Sequence, residues 1–234
     1  MKYGQYSFSK IQTFFECPKK FEFSYVIKIP VDRDYVDPTY FVRGRFLHSY
    51  IADRLKGGTG SNIGKYGLDV DTKLALVDYA DKALENEFIS MTYDFDVNSV
   101  ESYISLDKNL IPTTTKHNSA IGGYVDYFAI HEDYAMVVDW KTGKLRTMPD
   151  YSQLELYSVW LLQKYPKIEE IDLVYYYVEH DKFKTKMINS NDVKNLKNII
   201  SEKINIIENT AFFPVNRTEK CNHCQFFKTC TDTI

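Results

Sequence analysis

The sequence predicts an α/β protein in which a mixed central sheet is flanked by helices, with a helical part ahead of the sheet and a cysteine-rich tail behind it. Three observations predict this. The first third of the chain reads as helices. From residue 100 to residue 188, strand-like runs are interrupted by a single helical stretch. Within that region Ala135-Met136-Val137-Val138 is a continuous apolar run, which suits a central strand buried on both faces.

The elements follow in order. Residues 9–28 read as a helix with Ile11, Phe14, Phe15, Phe21 and Tyr25 at its apolar positions. Ser7 or Ser9 can cap it, and Pro18 is expected to kink or divide it. A second helix spans 40–56 and ends at Gly57-Gly58. Five glycines between Gly57 and Gly67 predict a mobile loop. A third helix spans 70–91. Val100–Leu106, Ala120–Ile130 and Tyr134–Trp140 read as strands, with His131-Glu132-Asp133 turning between the last two. A helix over 151–164 stops near Pro166. Ile171–Val178 and Phe183–Ile188 form a second strand pair, Asp192–Glu208 a last helix, and Phe212–Ile234 a turn-rich tail with three cysteines. The organisation expected is one domain over 1–234: a helical part over 1–92, an α/β core over 93–211 and a cysteine-bearing tail over 212–234.

Composition narrows the function. The chain has 234 residues, 44% hydrophobic and 26% charged, enough for a substantial core. A net charge of -3 argues against binding duplex nucleic acid by bulk electrostatics, although an acidic site could mask a local basic groove. With Tyr 19 and Phe 15, rings are available to stack on bases. No run of 18 apolar residues predicts a membrane span, and no signal peptide is visible, so a reducing cytoplasm is expected (a host's, for a viral chain). In that compartment cysteine spacing points to metal or redox chemistry rather than disulfides.

Asp139 and Lys141 are two apart on a strand, so their side chains share a face. Asp126, in Gly123-Tyr124-Val125-Asp126, lies on the preceding strand of the same hairpin. Two neighbouring carboxylates repel unless a cation lies between them, and Mg²⁺, which prefers oxygen ligands, is the natural occupant; Mn²⁺ would serve alike. The backbone carbonyl of Trp140 is a candidate further ligand, and a neutral His48 imidazole could complete the shell if its helix folds back onto the hairpin. Lys141 can orient an attacking water or stabilise developing phosphoryl charge. Gln153 and Tyr157, an i, i+4 pair on one helix face, could order that lysine, the nucleic-acid backbone or the water. Asp-x-Lys alone is more often a surface ion pair than a site. Its position at the end of an apolar strand, a hairpin's distance after Gly-x-x-Asp, reverses that balance. His117, His131, His180 and His223 have no comparable setting.

Cys221, Cys224 and Cys230 offer three thiols within ten residues, and the remaining cysteine, Cys17, is about 200 residues away. A cubane iron–sulfur cluster takes four thiolates and fits this pattern at least as well as Zn²⁺, which stays open as the alternative. Unligated thiols are the bland alternative. Either metal would pin the first helix to the tail.

Together these residues resemble the RecB-like branch of the PD-(D/E)XK nuclease superfamily. Ser7 to Ile11 through Phe14, Cys17-Pro18 and Phe21 is similar to the family's N-terminal segment, Gly44 to His48 to its histidine motif, and Gly123 to Asp126, Asp139 to Gly143 and Gln153 to Tyr157 to its other motifs, in the family's order. The resemblance covers nearly the whole chain and implies a restriction-endonuclease-like core. The cysteine pattern is similar to the iron–sulfur subgroup, which includes the AddB helicase–nucleases and the small nucleases of CRISPR adaptation. It implies a structural 4Fe-4S cluster on Cys17, Cys221, Cys224 and Cys230. It also implies a metal-dependent DNA exonuclease, with endonuclease activity open, often directed at single strands or ends. Recombination, repair and CRISPR adaptation all fit as settings, and a helicase or an adaptation protein as partner. A non-catalytic DNA-end-binding module is the alternative, disfavoured by the intact Asp126, Asp139 and Lys141. No Gly-x-x-x-x-Gly-Lys-Ser/Thr loop accompanies the site, so the chain looks like a stand-alone form.

Overall fold

The structure is a computed structural model that describes residues 1–31, 39–60, 66–114 and 118–232. Within them five strands form one sheet in sequence order: β1 (Val97–Leu106), β2 (Ile121–His131), β3 (Tyr134–Lys141), β4 (Glu170–Tyr177) and β5 (Lys182–Asn189). Neighbours are antiparallel except β3 and β4, which are parallel. A parallel pair needs a crossover, and the helix Ser152–Lys164 supplies it. β3 is thus the middle strand, and its apolar run is buried on both faces as its sequence requires. The outer strand β5 is largely exposed and carries Lys182, Lys184 and Lys186, charges that discourage edge-to-edge pairing.

Helices cover both faces. α1 (Phe8–Glu16), α6 (Ser152–Lys164) and α7 (Val193–Asn209) share one core with Val137, Ile171 and Leu173. α3 (Thr39–Leu55) and α4 (Val70–Glu85) share the other with Met136, Val138, Val174 and Tyr176. Odd and even positions of β3 and β4 divide between these cores, as the two-residue period of a strand demands.

The predicted helix over 9–28 is divided at Cys17, whose extended backbone (φ -157°) ends α1; Pro18 then opens the short α2 (Pro18–Phe21), followed by a π-helical turn to Val26. Ser7 is the residue that caps α1, its Oγ accepting from the Lys10 N–H at 3.2 Å. The predicted helix over 70–91 is also interrupted. Asn86 leaves helical geometry and its side chain accepts from Phe88 N–H, capping a new short helix α5 (Glu87–Ser90). The turn between β2 and β3 is tighter than expected, since His131 still pairs with Tyr134 and only Glu132 and Asp133 remain in the loop. Of the glycine-rich stretch, residues 61–65 lie outside the described residues, as does His117. The tail ends in a 3₁₀ turn at Glu219–His223 and the helix α8 (Phe227–Asp232).

Candidate active site and cysteine centre

β2 pairs with β1 along its length but with β3 only from His131 back to Tyr127. Past the Tyr127–Val138 pair the two strands part, while β3 stays hydrogen-bonded to β4 through Lys141. Asp126 and Asp139 are the next residues on the two sides of the parting. In place of a ladder bond, Asp126 Oδ2 accepts from the Trp140 N–H at 3.0 Å. On the far side of β2, Glu101 stands across from Asp126, between the pairs Val100–Tyr127 and Ser102–Val125. Its φ of 51° is left-handed, unusual for a residue other than glycine. Three strands therefore bring three carboxylates into one row: Glu101, Asp126 and Asp139.

His48 reaches this row from α3. Its Nε2 lies 2.7 Å from the Trp140 carbonyl and its Nδ1 3.3 Å from Asp126 Oδ2. The helix does fold back onto the hairpin, because Phe46, Leu47 and Ile51 of α3 are buried against the face that carries Trp140. Gly44, one turn before His48, faces Thr142 at the end of β3: a Cβ there would lie in ordinary contact, 3.4 Å from Thr142 Oγ1. One ligand atom from each of His48, Glu101 and Asp126 falls within 4.8 Å of the other two.

On the opposite side Lys141 Nζ lies 2.6 Å from Asp139 Oδ2 and 3.5 Å from Gln153 Oε1, which accepts from it. The lysine also sits over the Tyr175 ring, 4.7 Å from its centre. Gln153 Nε2 donates to the Tyr157 hydroxyl at 3.2 Å. One polar chain thus runs Asp139, Lys141, Gln153, Tyr157, the last two held one turn apart by α6. Gly123 belongs to the same construction. A Cβ there would stand 3.3 Å from the buried Tyr157 ring. We expect Gly123→Ala to cost about 1 kcal/mol by overpacking and to lower turnover about tenfold by displacing Tyr157 and Gln153. Thermal melting and single-turnover rates check the two effects separately.

The charges explain the titration of the site. Burial, then Asp126, pushes the Asp139 carboxyl up to about 6, against the pull of Lys141 and His48. For His48 burial favours the neutral ring, but Asp126, Asp139 and Glu101 outweigh it and raise the imidazole to about 9. Burial first, and then Asp126, raises Glu101. The donor set suits a divalent cation. It offers carboxylates, a carbonyl and an imidazole, and the buried Asp139 Oδ2 has only the Lys141 ammonium, 2.6 Å away, as its partner among the described residues.

The sequence-derived residues gather at this end of the sheet: His48 and Asp126 form one group with Glu101, and Lys141, Gln153 and Tyr157 form a chain leading from Asp139. Sequence reasoning missed Glu101. It stands in a strand that reads Val-Glu-Ser-Tyr-Ile-Ser-Leu, and only the register to β2 reveals its place beside Asp126. His180 and His223 also have settings that the sequence did not suggest: His180 Nε2 lies 2.9 Å from the Gly143 carbonyl, and His223 lines the cleft beside Lys141. His131 pairs with Asp96 on the surface, far along β2 from the carboxylate row.

The four cysteines, all partly buried, line one small cavity together with Phe23, Arg217 and Phe226. Several contacts hold its walls. Lys19 N–H donates to the Pro214 carbonyl at 3.1 Å, Asn216 Nδ2 to the Glu16 carbonyl at 2.8 Å, and Lys220 pairs with Glu16 at 2.7 Å. Phe213 stacks on Phe21 and Phe226 meets Phe23 edge-on. Burial, then Cys17, raises the Cys230 thiol.

A crystal structure from Eubacterium rectale named "Putative exonuclease" is 11% identical to this chain, with a TM-score of 0.56 over 95% of this chain and 88% of that one. The likeness is one of fold. The crystal structure of SSO0001 is 15% identical over 95% of this chain and 98% of that one, with a TM-score of 0.38, too low to bear on the fold. The comparison with curated proteins returns no match. The family model of the PD-(D/E)XK nuclease superfamily matches residues 5–231, nearly the whole chain. With its carboxylate row and adjacent lysine at the end of a central strand, the chain belongs to the PD-(D/E)XK nuclease superfamily.

Proposed function

We propose that this protein is a metal-dependent DNA exonuclease of the RecB-like branch, acting on single strands or DNA ends and carrying a structural 4Fe-4S cluster. The observation that carries the reading is the row Glu101, Asp126, Asp139 with Lys141 ion-paired to its last member. A Mg²⁺ or Mn²⁺ ion held by Asp126, His48, Asp139 and the Trp140 carbonyl, with Glu101 added from the structure, would supply Lewis-acid activation of the phosphate and of a bound water. The chain's own groups do the rest. Lys141, beside Asp139 and tethered by Gln153, presents its ammonium where charge develops on the phosphoryl oxygens. Gln153 fixes the lysine's direction, and Tyr157 fixes Gln153. Burial raises the Tyr157 hydroxyl well above its ordinary range, so it stays protonated, and its oxygen accepts from Gln153 Nε2.

The four cysteines line one cavity, which supports a single site shared by all four thiolates. A 4Fe-4S cluster uses four thiolates, as does the alternative, a Zn²⁺ site. Thiolate ligands of this kind fit a reducing cytoplasm.

Incubating labelled single- and double-stranded DNA with Mg²⁺ or Mn²⁺, against an EDTA control, tests the nuclease. Stepwise shortening from an end is expected, abolished by EDTA; intact DNA under every condition would overturn the reading. His48→Ala is expected to raise the Mg²⁺ concentration for half-maximal activity about tenfold with little change in melting temperature. An unchanged metal titration would reduce His48 to packing.

A further inference from the structure

Two clefts meet at the site. One, of about 860 Å³, runs from Gln153 to the cysteine tail; the other, of about 800 Å³, contains His48, Glu101 and Asp126. Tyr40, Phe41, Arg45, Lys141 and Thr142 line both and so mark the passage between them. The first cleft is cationic. Lys20, Arg45, Lys141, Lys144, Arg146 and Lys220 face it, against the acids Glu16 and Asp150, and Glu16 is already paired with Lys220. Despite the chain's net charge of -3, this is a local track for a polyanion.

Tyr40 and Phe41 are the anomaly in that passage. They lie in the first turn of α3, belong to neither hydrophobic core, and are 53% and 46% exposed. Their rings are 4.3 Å apart and tilted by 37°, so they present one continuous aromatic surface. Adjacent exposed rings contribute little to folding, yet here they stand where a strand must pass from the cationic cleft to the carboxylates. An aromatic surface beside a cationic track is the composition that grips unpaired bases.

We propose that Tyr40 and Phe41 form a base-stacking platform that holds the nucleotide next to the scissile phosphate and selects single strands. This rests on the nuclease reading and adds its specificity element. Bases in a duplex are already paired and stacked on one another, so they cannot turn onto the rings; an unpaired base can. The platform acts by positioning, not on the reacting atoms.

The test uses the full chain and a labelled oligothymidylate, the same strand with an abasic site moved along it, and a duplex of equal length. Binding is measured in EDTA and cleavage in Mg²⁺. The Tyr40→Ala, Phe41→Ala double variant is expected to bind the single strand at least tenfold more weakly and to show a matching rise in KM, with kcat, duplex binding and melting temperature nearly unchanged. Tyr40→Phe and Phe41→Tyr should restore binding. The wild type should be sensitive to an abasic site at one position and the alanine variant to none. Equal affinity of variant and wild type, equal losses on single strand and duplex, or no sensitive abasic position would each overturn the platform. A wild type that binds the strand without cutting it defeats the nuclease reading while the binding comparison still decides the platform. A wild type that does not bind the strand overturns both.

Discussion

Asp139→Asn is expected to lower DNA cleavage on the order of a thousandfold while raising the melting temperature of the metal-free protein by a few degrees. Both effects have one origin. Asp139 is 3% exposed and lies beside Asp126, so its negative charge is costly even with the Lys141 ammonium 2.6 Å away. Its carboxyl is raised from 3.8 to about 6, meaning that the native state binds the proton more tightly than the unfolded chain does. The contribution of this group to stability therefore falls as pH rises from about 4 to about 6, the reverse of the usual paired aspartate. Asparagine removes the cost at neutral pH. It leaves Lys141 its contacts to Gln153 and the Tyr175 ring. Loss of activity with a gain in stability separates a ligand from a structural residue. Near-wild-type turnover in Mg²⁺, or a lower melting temperature, would remove Asp139 from the site.

The second large effect is expected at the cysteines. Anaerobically purified wild-type protein should be brown, with the broad visible absorbance of thiolate-bound iron. Cys17→Ser should bleach it as fully as Cys224→Ser does, because a cubane left with three thiolates has an open corner. The cost in stability should be far larger than that of a buried serine. Closing a loop of about 200 residues is worth about 5 kcal/mol on the loop-entropy scale used for cross-links, which corresponds to a drop in melting temperature of about 10 °C or more. The local contacts between α1, α2 and the tail, such as Lys19 to Pro214, would survive only in part. A colourless wild type with one zinc per chain would refute the cluster and keep the staple. A metal-free wild type whose stability is indifferent to Cys17 would refute both.

Much of the candidate site was legible because its residues sit in contiguous patterns. Asp139 and Lys141 share a strand face, and Gln153 and Tyr157 share a helix face, so local periodicity alone places each pair. The apolar run before Asp139 marked β3 as central, and β3 is the middle strand. Glu101 was not legible. Its place depends on the register of β1 against β2 and on a left-handed backbone that no local pattern announces. The break at Asn86 was hidden for a related reason: the apolar spacing continues across it, and only the side-chain cap on Phe88 decides against a continuous helix. Tyr40 and Phe41 gave no signal either. On a helix, two adjacent aromatics read as core until the packing leaves them outside it.

The parting of β2 from β3 also governs what an incomplete copy of this protein can do. His48 comes from α3, Glu101 from β1, Asp126 from β2, Asp139 and Lys141 from β3, and Gln153 from α6. No proteolytic fragment that lacks one of these stretches holds the full set, and neither does a nascent chain that has yet to emerge past α6. Any cleavage is therefore expected only from a chain folded through α6, so a truncated or half-made copy lacks the assembled set of groups.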